Sequence, residues 1–193
     1  GINSAGLRGG VFYHDAGVDD SRLTIETVKS AVAAAAAVFP HAEVVDVNKV
    51  ETDGGWEITL DDHHPDAGGK NFSLTAKAVV NATGVEVDRI RNMMRAQPAE
   101  DVKASRGIHL IFPRQVLDIQ TTLAVRSIDD GRPLFLIPWE GVLMFGTTDE
   151  LTEHPREDGE IVPQTEVEYL LHSLRHYFPE AGVDDWPLQS AFA

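Results

Sequence analysis

Apolar and polar positions follow two different rhythms along this chain. From Thr24 to about Val38 the apolar residues recur at helical spacing, with Ile25, Val28 and Val32 on one face. Glu26 sits in the first turn, where the helix dipole favours a negative charge. Asp19-Asp20-Ser21 offers N-cap oxygens ahead of this helix, and Phe39-Pro40 ends it. The Ala33–Ala37 run is strongly helix-forming and small enough for a neighbouring backbone to approach closely. Shorter runs then predict strands at Glu43–Val47, at Trp56–Leu60 after the Thr52-Asp53-Gly54-Gly55 hairpin turn, and at Asn71–Ala76 after the polar loop Asp61–Lys70. Ala78–Ala82 is almost continuously apolar, which suits a strand buried on both faces. Thr83-Gly84 closes it, and a short helix is expected over Val87–Arg95.

Beyond Gln97-Pro98 the rhythm changes. Ile108–Pro113, Thr121–Ser127, Leu134–Trp139 and Val142–Thr147 read as four short strands, with turns at Asp129-Asp130-Gly131 and Glu140-Gly141 that predict an antiparallel meander. After the acidic loop Asp149–Pro163, a helix over Glu166–Phe178 carries one apolar stripe: Val167, Leu170, Leu171, Leu174, Tyr177 and Phe178. Thr165 and Glu168 have capping-box spacing at its start. Trp186–Ala193 has the look of a strand cut short. These elements predict an α+β chain in two parts, 1–96 and 97–193, with the boundary inside Glu86–Asp101.

Composition narrows the function classes. The chain has 193 residues and no cysteine, which excludes a disulfide framework, a thiolate zinc site and cysteine catalysis. Sixteen Lys and Arg against 31 Asp and Glu leave a net charge of −15, which argues against a broad nucleic-acid-binding face. The longest apolar run, Ala31–Phe39, is too short to span a bilayer.

The candidate chemistry lies in few places. Ala82-Thr83-Gly84 puts small residues at the carboxyl end of the expected buried strand, where open α/β sheets bind ligands. His109 opens a strand after Ser105-Arg106-Gly107; from the residues alone it is either a structural histidine, the commoner case, or a group suited to proton transfer near neutral pH. Gly146-Thr147-Thr148-Asp149 closes the four-strand run with hydroxyls and a carboxylate. Arg89, Arg91 and Arg95 are the densest basic spot, read as a solvated helix face in preference to a phosphate site. His63-His64 and the His172/His176 pair lack a full ligand set, so no metal site is expected. There is no G-x-G-x-x-G, P-loop, G-x-S-x-G or H-E-x-x-H.

In order, Gly9-Gly10-Val11-Phe12-Tyr13, Asp19–Leu23, Val79–Gly84, Ile137-Pro138-Trp139, Gly146–Asp149, the Tyr169-Leu170-Leu171 helix and His176–Pro179 form a set. That set resembles the FAD-dependent glycerol-3-phosphate dehydrogenases, relatives of D-amino-acid oxidase, from about Gly6 to Ala193. The resemblance implies part of a Rossmann-like FAD-binding domain followed by an antiparallel-sheet substrate domain backed by a helix. It implies an internal section of a longer enzyme, without the leading glycine motif for FAD and ending before the Gly-x-Arg-Pro-Leu segment whose Arg holds the substrate phosphate.

By the same resemblance, Ala82, Thr83 and Gly84 lie beside the FAD pyrophosphate, and His109 faces the substrate as base or hydrogen-bond partner. Arg106, Thr147, Thr148 and Asp149 border the flavin–substrate cleft. The family's Lys-Gly-Ser-His reads Arg106-Gly107-Ile108-His109 here, and its Ala-Thr-Gly-Pro-Trp-Val-Asp reads Ala82–Asp88 with Val85-Glu86 at the Pro-Trp positions. The implied reaction oxidises sn-glycerol 3-phosphate to dihydroxyacetone phosphate and passes electrons to a membrane quinone, in a cytoplasmic enzyme with peripheral contact to the inner face of the membrane. The present chain alone is then expected to be colourless and inactive, and its uncovered apolar faces favour self-association. The alternatives are a related FAD-dependent enzyme that uses oxygen or acts on another small hydroxy or amino acid, and a non-catalytic binding module.

Overall fold

Strand pairing and burial separate two units, Gly9–Val102 and Lys103–Ala193, the latter joined by Gly1–Arg8. The computed structural model describes residues 1–51, 54–66, 68–95, 97–153 and 161–193. Thr52 and Asp53 of the expected hairpin turn and residues 154–160 of the acidic loop therefore lie outside the described residues.

In the Gly9–Val102 unit, helix α1 spans Asp20–Ala33. Asp19 caps it, its carboxylate accepting from the Arg22 amide at 2.9 Å. The helix stops short of the expected Val38. Ala35 takes φ 67°, and the Ala36 amide reaches back to the Ala31 carbonyl at 3.0 Å, a Schellman-type ending with alanine where glycine is usual. High propensity does not carry the alanines further, because no residue of α1 is buried and packing supplies most helical stability in proteins.

Strands β1 (Ala42–Lys49), β2 (Trp56–Asp62) and β3 (Asn71–Ala76) form an antiparallel sheet in that order. Its core is small: Val47, Ile58 and Leu60, with Val44, Phe72, Leu74 and Val79 packed around them. Helix α2 (Val87–Met93) buries Ile90. The expected buried strand over Ala78–Ala82 does not form. A strand needs a paired neighbour, and β1–β3 pair among themselves, so the segment is irregular and Val80 stands 88% exposed.

In the Lys103–Ala193 unit, β4 (Ala104–Arg106) pairs with β9 (Glu150–Thr152). The main sheet has the order β10-β5-β8-β7-β6, antiparallel throughout, from β5 (His109–Pro113), β6 (Leu123–Arg126), β7 (Pro133–Trp139), β8 (Val142–Gly146) and β10 (Ser190–Phe192). The four strands are thus not a simple meander, since β5 lies beside β8 and not β6. The β7–β8 link is the two-residue turn Glu140-Gly141, whereas a 3₁₀ turn at Arg114–Val116 and a loop intervene between β5 and β6. Pairing of β6 with β7 stops at Leu136, ahead of Pro138, which has no N–H to give the ladder.

Alternate residues of this sheet, Leu110, Phe112, Leu134, Leu136, Leu143 and Phe145, are buried against helix α3 (Gln164–Tyr177). Val167, Leu170, Leu174 and Phe178 of the expected stripe meet them, while Leu171 and Tyr177 are partly covered. The helix starts earlier than expected, with Pro163 at its N-cap. Thr165 is already inside the first turn, and Glu168 holds Gln164 and Arg175, so the capping box is not made.

Candidate functional site

The period-2 alternation that buries Leu110 and Phe112 turns His109 to the opposite face of β5. His109 pairs across the ladder with Gly146 on one side and Phe192 on the other. Its ring stacks on Phe192 with centroids 5.2 Å apart and planes 18° apart. Gly146 is required there, because a Cβ would lie 2.6 Å from His109 Cδ2 and 2.8 Å from the Ile108 carbonyl. Burial lowers the His109 pKa below the usual imidazole value, so the ring is neutral at pH 7. Among the described residues neither ring nitrogen has a hydrogen-bond partner, which leaves both able to meet a ligand.

Next to this strand start, Ser105, Arg106, Gly107, Arg132, Pro133, Thr147, Thr148 and Asp149 line an open cavity of about 500 Å³. The structure thus gathers Arg106 and Thr147-Thr148-Asp149, separated along the chain by β5 to β8, around one space. Gly107 packs directly on Thr147 Oγ1 and the Thr148 carbonyl, with no room for a side chain. Arg106 and Thr148 are turned inward. Both contact the carboxylate of Glu166, in the first turn of α3. Thr148 Oγ1 also accepts from the Ile108 amide at 2.9 Å. Ile108, standing where the resembled pattern has serine, is fully buried in the core and could not present a hydroxyl to the cavity without leaving it.

Two residues of this neighbourhood had no signal in the sequence reading. Arg132 closes the cavity, held by Asp130 at 2.8 Å and Asp149 at 3.6 Å. Glu166 is a buried carboxylate, whose position before the apolar stripe marks it only as a residue the helix dipole favours. Beside Arg132, burial works against ionisation of Asp130. Hydrogen bonds from the Tyr169 hydroxyl, the Arg132 amide and Ser127, with the Arg132 charge, outweigh it and hold the carboxyl at about 2.

Ala82, Thr83 and Gly84 lie in the other unit, on an exposed turn. Gly84 has φ 57° and no heavy atom within 4 Å of where a Cβ would stand. Thr83 donates its hydroxyl to Asn81 at 2.7 Å, and Asn81 in turn bonds the Val87 carbonyl. Small side chains, an open left-handed glycine and a braced loop fit one wall of a site for the pyrophosphate of FAD.

The remaining candidates are occupied elsewhere. Arg89 pairs with Glu86 and Glu43, and Arg91 and Arg95 share Asp101. His63 meets Glu43 and His172 meets Asp129. No group of three metal-capable side chains occurs among the described residues. No helix among them is long and apolar enough to cross a membrane.

Comparison with known proteins sets these features in a class. The model of the FAD dependent oxidoreductase family matches residues 2–192, and the chain belongs to that family. Among individual relatives, it is 31% identical to the aerobic glycerol-3-phosphate dehydrogenase of Bacillus subtilis over the whole chain, and 28% identical to that of Staphylococcus saprophyticus. The chain spans 34% of the length of each. The crystal structure of the glycerol-3-phosphate dehydrogenase from Bacillus halodurans complexed with FAD superposes with a TM-score of 0.69 at 25% identity, covering 90% of this chain and 34% of that one.

Proposed function

We propose that this chain supplies one wall of the FAD site and the substrate sheet of an enzyme that oxidises sn-glycerol 3-phosphate to dihydroxyacetone phosphate, with a quinone as electron acceptor. The observation that carries the reading is His109: a partly buried imidazole held in the neutral form, two residues along the chain from Gly107 of the cavity that Arg106, Thr147, Thr148 and Asp149 also line. The family membership and the names of the relatives supply the reaction class. FAD, when bound, accepts the hydride from C2 of the substrate.

The chain's own residues do the rest. Ala82-Thr83-Gly84 lines the pyrophosphate with little bulk. His109 takes the proton of the C2 hydroxyl, or holds that hydroxyl by a hydrogen bond, and its lowered pKa keeps a lone pair available. Phe192 and Gly146 fix the plane of the ring. Arg132 is held by carboxylates, as Arg106 is by Glu166, so neither is a spare cation for the phosphate of the substrate. A lipid-soluble quinone as acceptor calls for peripheral contact with a membrane, and the cytoplasmic face is the one proposed. The exposed apolar residues of α1 and Val80 favour pairing of two copies of the isolated chain.

In the full-length protein, His109→Ala should lower kcat/KM for glycerol 3-phosphate by about two to four orders of magnitude, with the unfolding midpoint unchanged. Near wild-type kinetics would remove His109 from the site. The isolated chain, mixed with excess FAD and desalted, should retain no flavin absorbance, because its sequence has no glycine-rich helix start to hold the pyrophosphate. Retention near one flavin per chain would overturn that part of the reading.

A further inference from the structure

We infer that Glu166 is a positioning residue for His109, acting through Thr148 and the main chain at Ile108. The inference rests on the reading of His109 as the group that meets the substrate hydroxyl. Glu166 keeps only 8% of its side chain exposed, and its two carboxylate oxygens are divided between Arg106 and Thr148. Thr148 is 3% exposed. Its hydroxyl has one proton to donate, and a Glu166 carboxylate oxygen accepts that hydrogen bond. The lone pairs are thereby left for the Ile108 amide, 2.9 Å away. That amide belongs to the residue immediately before His109, and the Ile108 side chain is fully buried on the other side. The start of β5 is thus held from two directions.

This route matters because, among the described residues, no carboxylate bonds the His109 ring. In sites where imidazole is aimed by a direct acid partner, the partner bonds the second ring nitrogen. Here the ring is set by Phe192, by the absence of a side chain at Gly146, and by where the backbone at Ile108 lies. A buried carboxylate is a poor device for stability alone, since well-packed apolar residues do as well or better. One contact to Arg106, which holds the carboxyl group, and one to Thr148, which fixes the direction of its hydroxyl, give it a reason to be there.

The test reads the imidazole and the amide directly, in the present chain, by NMR. Thr148→Val should speed hydrogen exchange of the Ile108 amide by roughly 10–100-fold, the range expected when a buried N–H loses its acceptor. It should also shift the His109 ring signals that feel the Phe192 ring. Thr148→Ser should restore both. Glu166→Gln, which keeps the shape and removes the charge, should move the same signals in the same direction by less. In the full-length protein the Gln variant should lower kcat with KM little changed. If Thr148→Val does not fold, the Glu166→Gln and Thr148→Ser pair decides. A lowered unfolding midpoint with the Ile108 amide and His109 ring unmoved overturns the inference, as does failure of serine to rescue. Near wild-type kinetics of His109→Ala would defeat the proposed role of the imidazole while leaving the amide and ring measurements readable.

Discussion

Helices α1 and α3 are both 14 residues long, and both carry an apolar stripe at helical spacing. In α3 the stripe closes on the five-stranded sheet, and Leu170 and Leu174 lose essentially all contact with water. In α1 the equivalent residues Ile25, Val28 and Val32 remain 59%, 41% and 54% exposed. The sheets differ in the same sense: β1–β3 enclose three buried apolar residues, whereas β5, β7 and β8 alone bury six. A periodic stripe therefore records that a helix has a face to cover. Whether that face is covered depends on elements the stripe itself does not specify.

The contrast can be broken or sharpened by substitution. Leu170→Ala should cost about 2–5 kcal/mol, the range for emptying a packed core site, in denaturant unfolding. Ile25→Ala on α1 should cost far less, within about 1 kcal/mol, since little burial is lost. Equal losses would end the distinction. Next in size, Gly107→Ala should cost about 1–3 kcal/mol by overpacking, because its methyl runs into Thr147 and the Thr148 backbone.

On the uncovered side, Ala35→Gly should stabilise by up to about 1 kcal/mol, since φ 67° is strained for alanine and free for glycine. A thermal melt monitored through the Gly9–Val102 unit would show it. Tyr169→Phe should show a pH signature in the covered unit. Asp130 titrates at about 2 when folded against 3.8 as its ordinary value, so its contribution is present above about pH 4 and is lost as pH falls toward 2. The stability gap between Tyr169→Phe and the parent should shrink over that window and stay constant from pH 5 to 8. Smallest of all, Lys29→Gln and Arg175→Gln remove exposed ion pairs in the two units and should each change stability by less than about 1 kcal/mol.

The same contrast explains what could be read in advance. Positions of β2, β3, β7, β8 and both long helices follow from local alternation and from caps such as Asp19, which act within a few residues. The failures are non-local. Ala78–Ala82 has the composition of a buried strand, yet pairing decides strands, and no neighbour takes it up. The place of β5 beside β8 depends on which edge is open, and no dipeptide encodes that. At the site, His109 and Thr147-Thr148-Asp149 stood out by residue type. Glu166 did not, because a glutamate in a first turn is ordinary until burial and two partners make it otherwise. Arg132 gave no signal for the same reason, its link to Asp149 spanning 17 positions.

Near the beginning of the chain, Asn3 donates its backbone amide to the Tyr177 carbonyl at 2.7 Å and its side-chain amide to the His176 carbonyl at 3.2 Å. These are carbonyls at the last turn of α3, which the helix itself cannot satisfy. The pair is separated by 173 positions, with the whole Gly9–Val102 unit between them. Emergence from a ribosome is sequential, at about 5–20 residues per second. Asn3 must therefore wait roughly ten to thirty-five seconds for the acceptors it will cap. During that interval the segment around Asn3 is untied, and the unit it belongs to cannot close until α3 has been made.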